Sequence, residues 1–181
     1  NTTTGVWGYT LNDASTATQE LNAGDNVSDT LTVTSFDGSD SQVITVNITG
    51  SNDLATITSS NSEDTTVIEA GYANDHITVI GDPSAGGVLS ITDVDDGEDK
   101  FQDPGNLVKT YGTFTFNTTT GVWGYDLDDA SNATQALNAG DNVSDTLTVT
   151  SFDGSDSQVI TVNITGSNDL ATITSSNSED T

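Results

Sequence analysis

Residues 1–65 recur as residues 117–181, at an offset of 116, and the two copies differ at four positions only: Thr10/Asp126, Asn12/Asp128, Thr16/Asn132 and Glu20/Ala136. Self-similarity at a fixed long period marks an array of one structural unit. The chain divides into three parts on this frame. Residues 1–54 read as the C-terminal part of one repeat, 55–170 as a complete repeat, and 171–181 as the start of the next. A unit of 116 residues is long enough to bury its own core. A chain built from copies of one domain is suited to length, so a spacer or stalk is the first function expected.

The complete unit reads as all-β. Ala55–Ser59 and Thr65–Glu69 are short β-prone runs, expected as a split first strand, and Gly87–Thr92 is expected as a second strand. Leu107–Phe116 meets Val122–Leu127 across the polar turn Asn117–Gly121, a hairpin signal. Ser144–Phe152 places Leu147 and Val149 on one face. Gln158–Thr165 alternates Ile160, Val162 and Ile164 against Val159, Thr161 and Asn163, the period of a half-buried strand. One helical fragment is expected at Ser131–Asn138, capped by Asp129 or Ser131 and ended by Gly140. About seven strands at this spacing predict tandem immunoglobulin-like (cadherin-like) β-sandwiches. Trp123 is expected in the core.

Charge narrows the function. Against 28 acidic residues stand two lysines, Lys100 and Lys109, and no arginine, for a net charge of −26. That balance argues against nucleic acid and anionic membranes as partners, because affinity for both comes from Lys and Arg. There is no cysteine to staple the fold, and divalent ions can serve in its place outside the cell. No run approaches the roughly 18 apolar residues of a membrane-spanning helix.

The acids cluster. The densest run is Asp93-Val94-Asp95-Asp96-Gly97-Glu98-Asp99, directly after a strand. In extended chain Asp93 and Asp95 point to the same side. Carboxylates held that close repel unless a cation lies between them, and Ca²⁺ takes six to eight such oxygen ligands. Gly50-Ser51-Asn52-Asp53 and its copy Gly166-Ser167-Asn168-Asp169 each follow the last strand of one unit and precede the first strand of the next. Asn and Asp there form turns or give oxygens to a metal clamped between domains. In an immunoglobulin-like topology the Asp93–Asp103 loop and the Asp153-Gly154 turn meet linker Asn52–Asp53 at one pole. Glu69, the run Asp126–Asp129 and linker Asn168–Asp169 collect at the other.

These residues carry a resemblance. The stretches ITDVDDGEDKF, YGTFTFNTTTGVWGYDLDDASNATQALNAGDNVSDTLTVTSFDGSDSQVITVNITGSND and the first copy's GVWGYTLNDAS…ITGSND resemble the VCBS-type, cadherin-like extender repeats of giant bacterial RTX adhesins, over essentially the whole chain. The resemblance implies Ca²⁺ at the junctions between neighbouring repeats of the same polypeptide. It also implies type I secretion to the bacterial cell surface, where the array extends an adhesive tip in adhesion or biofilm formation. Its Asp-x-Asp element maps to Asp93 and Asp95, its Asn-Asp linkers to Asn52–Asp53 and Asn168–Asp169, and its glutamate to Glu69 or Glu63. Because the first copy has Thr10 and Asn12 where the second has Asp126 and Asp128, the shared Asp13/Asp129 is the better ligand. No Gly-Gly-x-Gly-x-Asp nonapeptide is present.

Two other function classes bear on the same residues. Trp7 and Trp123 would serve a carbohydrate- or surface-binding module, with a glycan as ligand. A hydrolase would need little more than a pair of carboxylates. Yet no nucleophile motif accompanies them, and the single histidine, His76, reads as a loop residue. The expectation is a protein that is not an enzyme and carries no catalytic residue.

Overall fold

A computed structural model describes residues 1–173 and is almost entirely β. The elements run in chain order: helix α1 (Thr16–Gln19), then strands β1 (Asn26–Thr34), β2 (Ser41–Thr49), β3 (Thr56–Ser59), β4 (Thr66–Ile68), β5 (Gly71–Tyr72), β6 (Thr78–Val79), β7 (Ser84–Thr92), β8 (Gly112–Phe116), β9 (Val122–Leu127), β10 (Asn142–Thr150) and β11 (Ser157–Thr165). Of the expected start of a further repeat at 171–181, residues 174–181 lie outside the described part. No helix among the described residues is long and apolar enough to cross a membrane.

Two sheets form a sandwich. One has the order β3-β7-β9-β8, the other β10-β11-β4. The expected split first strand is present, and its halves go to different sheets. β3 pairs antiparallel with β7, whereas β4 pairs parallel with β11 through Asn163↔Thr66 and Thr165↔Ile68. Period-2 alternation decides what is buried. Ile57, Leu89, Phe114, Trp123, Tyr125 and Leu127 face Val67, Leu147, Val149, Ile160, Val162 and Ile164 across the core. The Trp123 ring is buried there, as expected. Within the core Tyr125 Oη donates to Asp145 Oδ2 at 2.8 Å, so the buried carboxylate is satisfied. Burial, and after it the Asp145 carboxylate, push the Tyr125 hydroxyl far above its ordinary range.

The Asn117–Gly121 turn closes the β8–β9 hairpin with Asn117 N–H bonded to Val122 O and Gly121 N–H to Asn117 O. Gly121 sits at φ +66 with the Leu89 carbonyl where a Cβ would go, so no other residue fits.

The first copy is a control on why these strands form. Residues 1–54 match 117–170 at all but four positions but are not covered by a layer equivalent to 55–116. The β1–β2 hairpin keeps the register of β10–β11, with Leu31↔Ile44 matching Leu147↔Ile160. Leu31, however, is 55% exposed against 1% for Leu147, and Trp7 53% against 2% for Trp123. Val6–Leu11, the counterpart of β9, is not a strand at all. A strand needs neighbours for its backbone groups, and the counterparts of β7 and β8 are missing.

Three local expectations are corrected. Leu107–Phe116 is a strand only from Gly112. The segment Ser131–Asn138 is a set of tight turns, although its copy holds the four-residue α1. Ser131 does cap the segment, accepting from Thr134 N–H at 3.2 Å. Its Gln135 N–H bonds to Ser131 O, as Gln19 N–H bonds to Ser15 O in the copy, but the next bond of a helix, Glu20 N–H to Thr16 O, has no counterpart here. The β5–β6 hairpin was not anticipated. Its pairing with Asn168 through Tyr72 depends on tertiary placement.

Candidate metal centre at the linker pole

β3 starts and β7 ends at the same end of the sandwich, with Thr56 opposite Thr92. The β10–β11 turn reaches that end too. Backbone donors of the incoming chain fasten to it. Ala55 N–H bonds to Ser155 Oγ at 2.9 Å, and Ile57 N–H to Asp156 Oδ2 at 2.7 Å. The linker is therefore tied down just before the first strand, and the acidic side chains around it are brought together as strand direction predicts.

Asp53 N–H donates to Asp95 Oδ2 at 2.8 Å, and Asn52 Nδ2 donates to Asp153 Oδ2 at 2.9 Å and to its neighbouring Asp53 carbonyl. Asp95 N–H in turn bonds to Asp93 Oδ1 at 3.1 Å. Asp95 is buried, at 3% exposure. Carboxylate oxygens of Asp93, Glu98 and Asp153 lie within 4.8 Å of one another. Glu98 is the member that sequence reasoning missed. Strand alternation selects Asp93 and Asp95, but Gly97 at φ +74 turns the chain back and returns Glu98 to the same spot. The signal was the glycine inside the acidic run.

The Asp153 carboxylate is shaped by its own loop. Ser151 Oγ donates to Asp153 Oδ1 at 2.6 Å and Ser155 N–H at 3.1 Å. The first copy repeats both bonds, from Ser35 and Ser39 to Asp37, so the geometry does not depend on the surrounding sandwich. Burial works against Asp153 ionising, but the bonds from Ser151, Ser155 and Asn52 prevail and hold it well below the carboxylate range. The serines, Ser39 first and then Ser35, lower the solvent-exposed Asp37 to about 2.

Glu98 goes the other way. Burial first, then the charges of Asp95, Asp93 and Asp153, raise it, with Lys100 opposing. Buried oxygens without a partner remain on Asp93 (Oδ2), Asp95 (Oδ1) and Glu98 (Oε2). Like charges about 4.8 Å apart cost about 1 kcal/mol per pair at water-like screening and more near a protein surface. A pole with three orphaned carboxylate oxygens and no lysine or arginine bonded to them is under-satisfied by protein groups alone.

The opposite pole has a similar plan with fewer members. Glu69 is fully buried, its Oε2 accepting from Ser167 N–H at 2.9 Å and its Oε1 without a partner. Burial raises it, the Ser167 bond opposes, and Asp169 and Asp129 raise it further. Asp129 Oδ1 accepts from Ala70 N–H at 3.1 Å. Asn168 Oδ1 caps Ala139 N–H at 2.9 Å, and its Nδ2 reaches Asn74. Asp169 is exposed there. Glu63, the alternative glutamate, lies against Gly87 and Trp123 mid-sandwich, away from either pole. Residues 1–54 contain no counterpart of Glu69. They meet the first pole instead through Asn22 Nδ2 on Asp96 O at 3.3 Å and Glu20 O, which accepts from Asp96 N–H at 3.2 Å.

No protein-family model and no curated protein matches the chain. The functional argument therefore rests on the poles themselves.

Proposed function

We propose that the chain is a Ca²⁺-rigidified structural spacer, a segment of tandem immunoglobulin-like repeats that extends a bacterial surface adhesin. The observation that carries this reading is the set of orphaned oxygens on Asp93, Asp95 and Glu98, gathered where the linker is tied down. All are hard carboxylate donors, the type Ca²⁺ selects. Asp93, Asp95, Glu98 and Asp153 would hold the ion, with linker residues Asn52 and Asp53 beside it. Bound there, it would supply positive charge among carboxylates that Lys100 alone does not offset. Locking the linker to the Asp93–Asp103 loop would then fix the angle between consecutive units. The parallel pairing of β4 with the last strand supports the immunoglobulin-like assignment. Glu69, Asp129, Asn168 and Asp169 would serve the next junction.

An ion that binds only the folded chain stabilises it increasingly as its concentration rises above the dissociation constant. The test is the melting temperature and the maximum dimension from solution scattering, in Ca²⁺ and then in EGTA. Both fall in EGTA if the reading holds. If neither changes, the spacer is not rigidified by Ca²⁺.

A further inference from the structure

We propose that Phe152 is a positioning residue for the cation site: its ring holds the Lys100 ammonium outside the carboxylate cluster and so keeps that cluster open to a divalent ion. This rests on the Ca²⁺ reading of the linker pole and goes beyond it, because neither residue is among the ligands.

The register of a short ladder puts the two side chains together. Phe101 and Ser151 face each other in an antiparallel bridge, and both are buried. Phe152 N–H donates to Lys100 O at 2.9 Å, and Gln102 N–H donates to Thr150 O at 2.9 Å. Lys100 therefore stands opposite Phe152, and alternation turns both away from the core. Phe101 anchors the ladder from within, its ring edge-on to Phe116 at 5.1 Å. On the outer side Lys100 Nζ lies 4.0 Å from the centre of the Phe152 ring, inside the range of a cation–π contact. Phe152 is 46% exposed, so its ring is not there to fill the core.

Both residues border the cluster. Lys100 N–H donates to the Glu98 carbonyl at 2.7 Å, and Phe152 immediately precedes Asp153. The ladder thus joins the acidic loop to the turn that carries Asp153. An ammonium has three donors and no acceptor, and the cluster offers orphaned oxygens on Asp93, Asp95 and Glu98. Charge alone would draw the lysine inward. Yet Asp95, Asp93 and Asp153 each act on Glu98 more strongly than Lys100 does, as fits an ammonium at the margin of the cluster. The chain's other lysine, Lys109, lies beside Ser144–Thr146, away from the Asp153 turn.

A tethered lysine competes with any free ion for the same oxygens, and its flexible four-carbon stem lets it fold back. The apparent affinity of a site scales with the fraction of time it is competent to bind. A lysine that filled the cluster about nine-tenths of the time would raise the Ca²⁺ dissociation constant about tenfold. The face of the Phe152 ring draws the ammonium by its quadrupole. A leucine in its place still covers the lysine stem but offers no such face.

The test titrates the full chain with chelator-buffered Ca²⁺ and reads occupancy by NMR at the amides of Asp95, Asp96, Gly97 and Glu98. Phe152→Leu should raise the dissociation constant by about fivefold or more. Adding Lys100→Gln to that variant should return the constant to the value of Lys100→Gln alone. In the wild-type chain the Lys100 ε-methylene protons should carry an upfield ring-current shift, which Phe152→Leu removes. A weakening that persists in the double variant would give Phe152 a purely structural role and overturn the proposal. So would an unchanged constant in Phe152→Leu, or no ring-current shift in the wild-type chain. Each of these three results, with Ca²⁺ still bound by the wild-type chain, strikes the proposal alone. No Ca²⁺ binding by the wild-type chain overturns the Ca²⁺ reading and the proposal with it.

Discussion

Leu31 and Leu147 are the same residue in the same nine-residue strand sequence, yet truncating them should have very different effects. Leu147 is 1% exposed in the core, facing the opposite sheet. Leu147→Ala removes three carbons at about 0.8 kcal/mol each and leaves a cavity, for a total of about 3–4 kcal/mol. Leu31 is 55% exposed. Less than half of the transfer term applies there, no enclosed cavity forms, and the loss is at most about 1 kcal/mol. That loss falls on the open hairpin and not on the sandwich. Urea unfolding followed by Trp123 fluorescence in a Trp7→Phe background reads the sandwich alone. Leu147→Ala should move its midpoint down by roughly 1.5–2 M, given a slope of roughly 2 kcal/mol per molar. Leu31→Ala should leave it in place. Equal shifts would refute the claim that 55–116 covers only one of the two copies.

The poles and the hairpin give three further outcomes. Glu98 is raised above its ordinary value, so the folded state binds its proton more tightly than the unfolded state. Stability is then lost as pH rises through the carboxylate range and stays lost at neutral pH. Glu98→Gln should therefore raise the melting temperature in EGTA at pH 7 by roughly 3–6 °C, have little effect near pH 3, and reduce the gain from Ca²⁺. A lower melting temperature in EGTA at pH 7 would contradict the electrostatic account. Gly121→Ala meets both the positive φ and the Leu89 carbonyl, and should destabilise the sandwich by more than about 2 kcal/mol. Gly5→Ala, at φ +70 with open space around it, should leave the sandwich midpoint unchanged in the same denaturation assay.

What could be read from the sequence was what repeats locally. The alternation in Gln158–Thr165 fixes which residues face inward, and Ile160, Val162 and Ile164 are indeed buried. The meeting of linker Asn52–Asp53 with Asp95 and Asp153 followed from strand direction once an immunoglobulin-like topology was assumed. Glu98 was hidden because alternation stops at a glycine with positive φ, and no rule based on strand period looks past that turn. The segment at Ser131 carries the capping residues of a helix, but only one helical bond forms there, from Gln135 N–H to Ser131 O, and its Thr134 is buried by tertiary packing. A first turn is costly to nucleate, and a segment this short has little to offset that. The β5–β6 hairpin has two-residue strands and no periodicity to detect.

The incoming linker fastens at one pole and Asn168 leaves from the other, so each 116-residue unit advances the chain by little more than the length of its strands. Fully extended, the same residues would reach roughly 400 Å. A polypeptide selected for reach alone would gain by staying unfolded. In the proposed spacer role, folding would serve stiffness rather than reach, with most of the contour folded away inside each sandwich. If such a unit were pulled by its two linkers, force would pass along the strands, and the β4–β11 parallel pairing, near the exit, is where it should first be sheared.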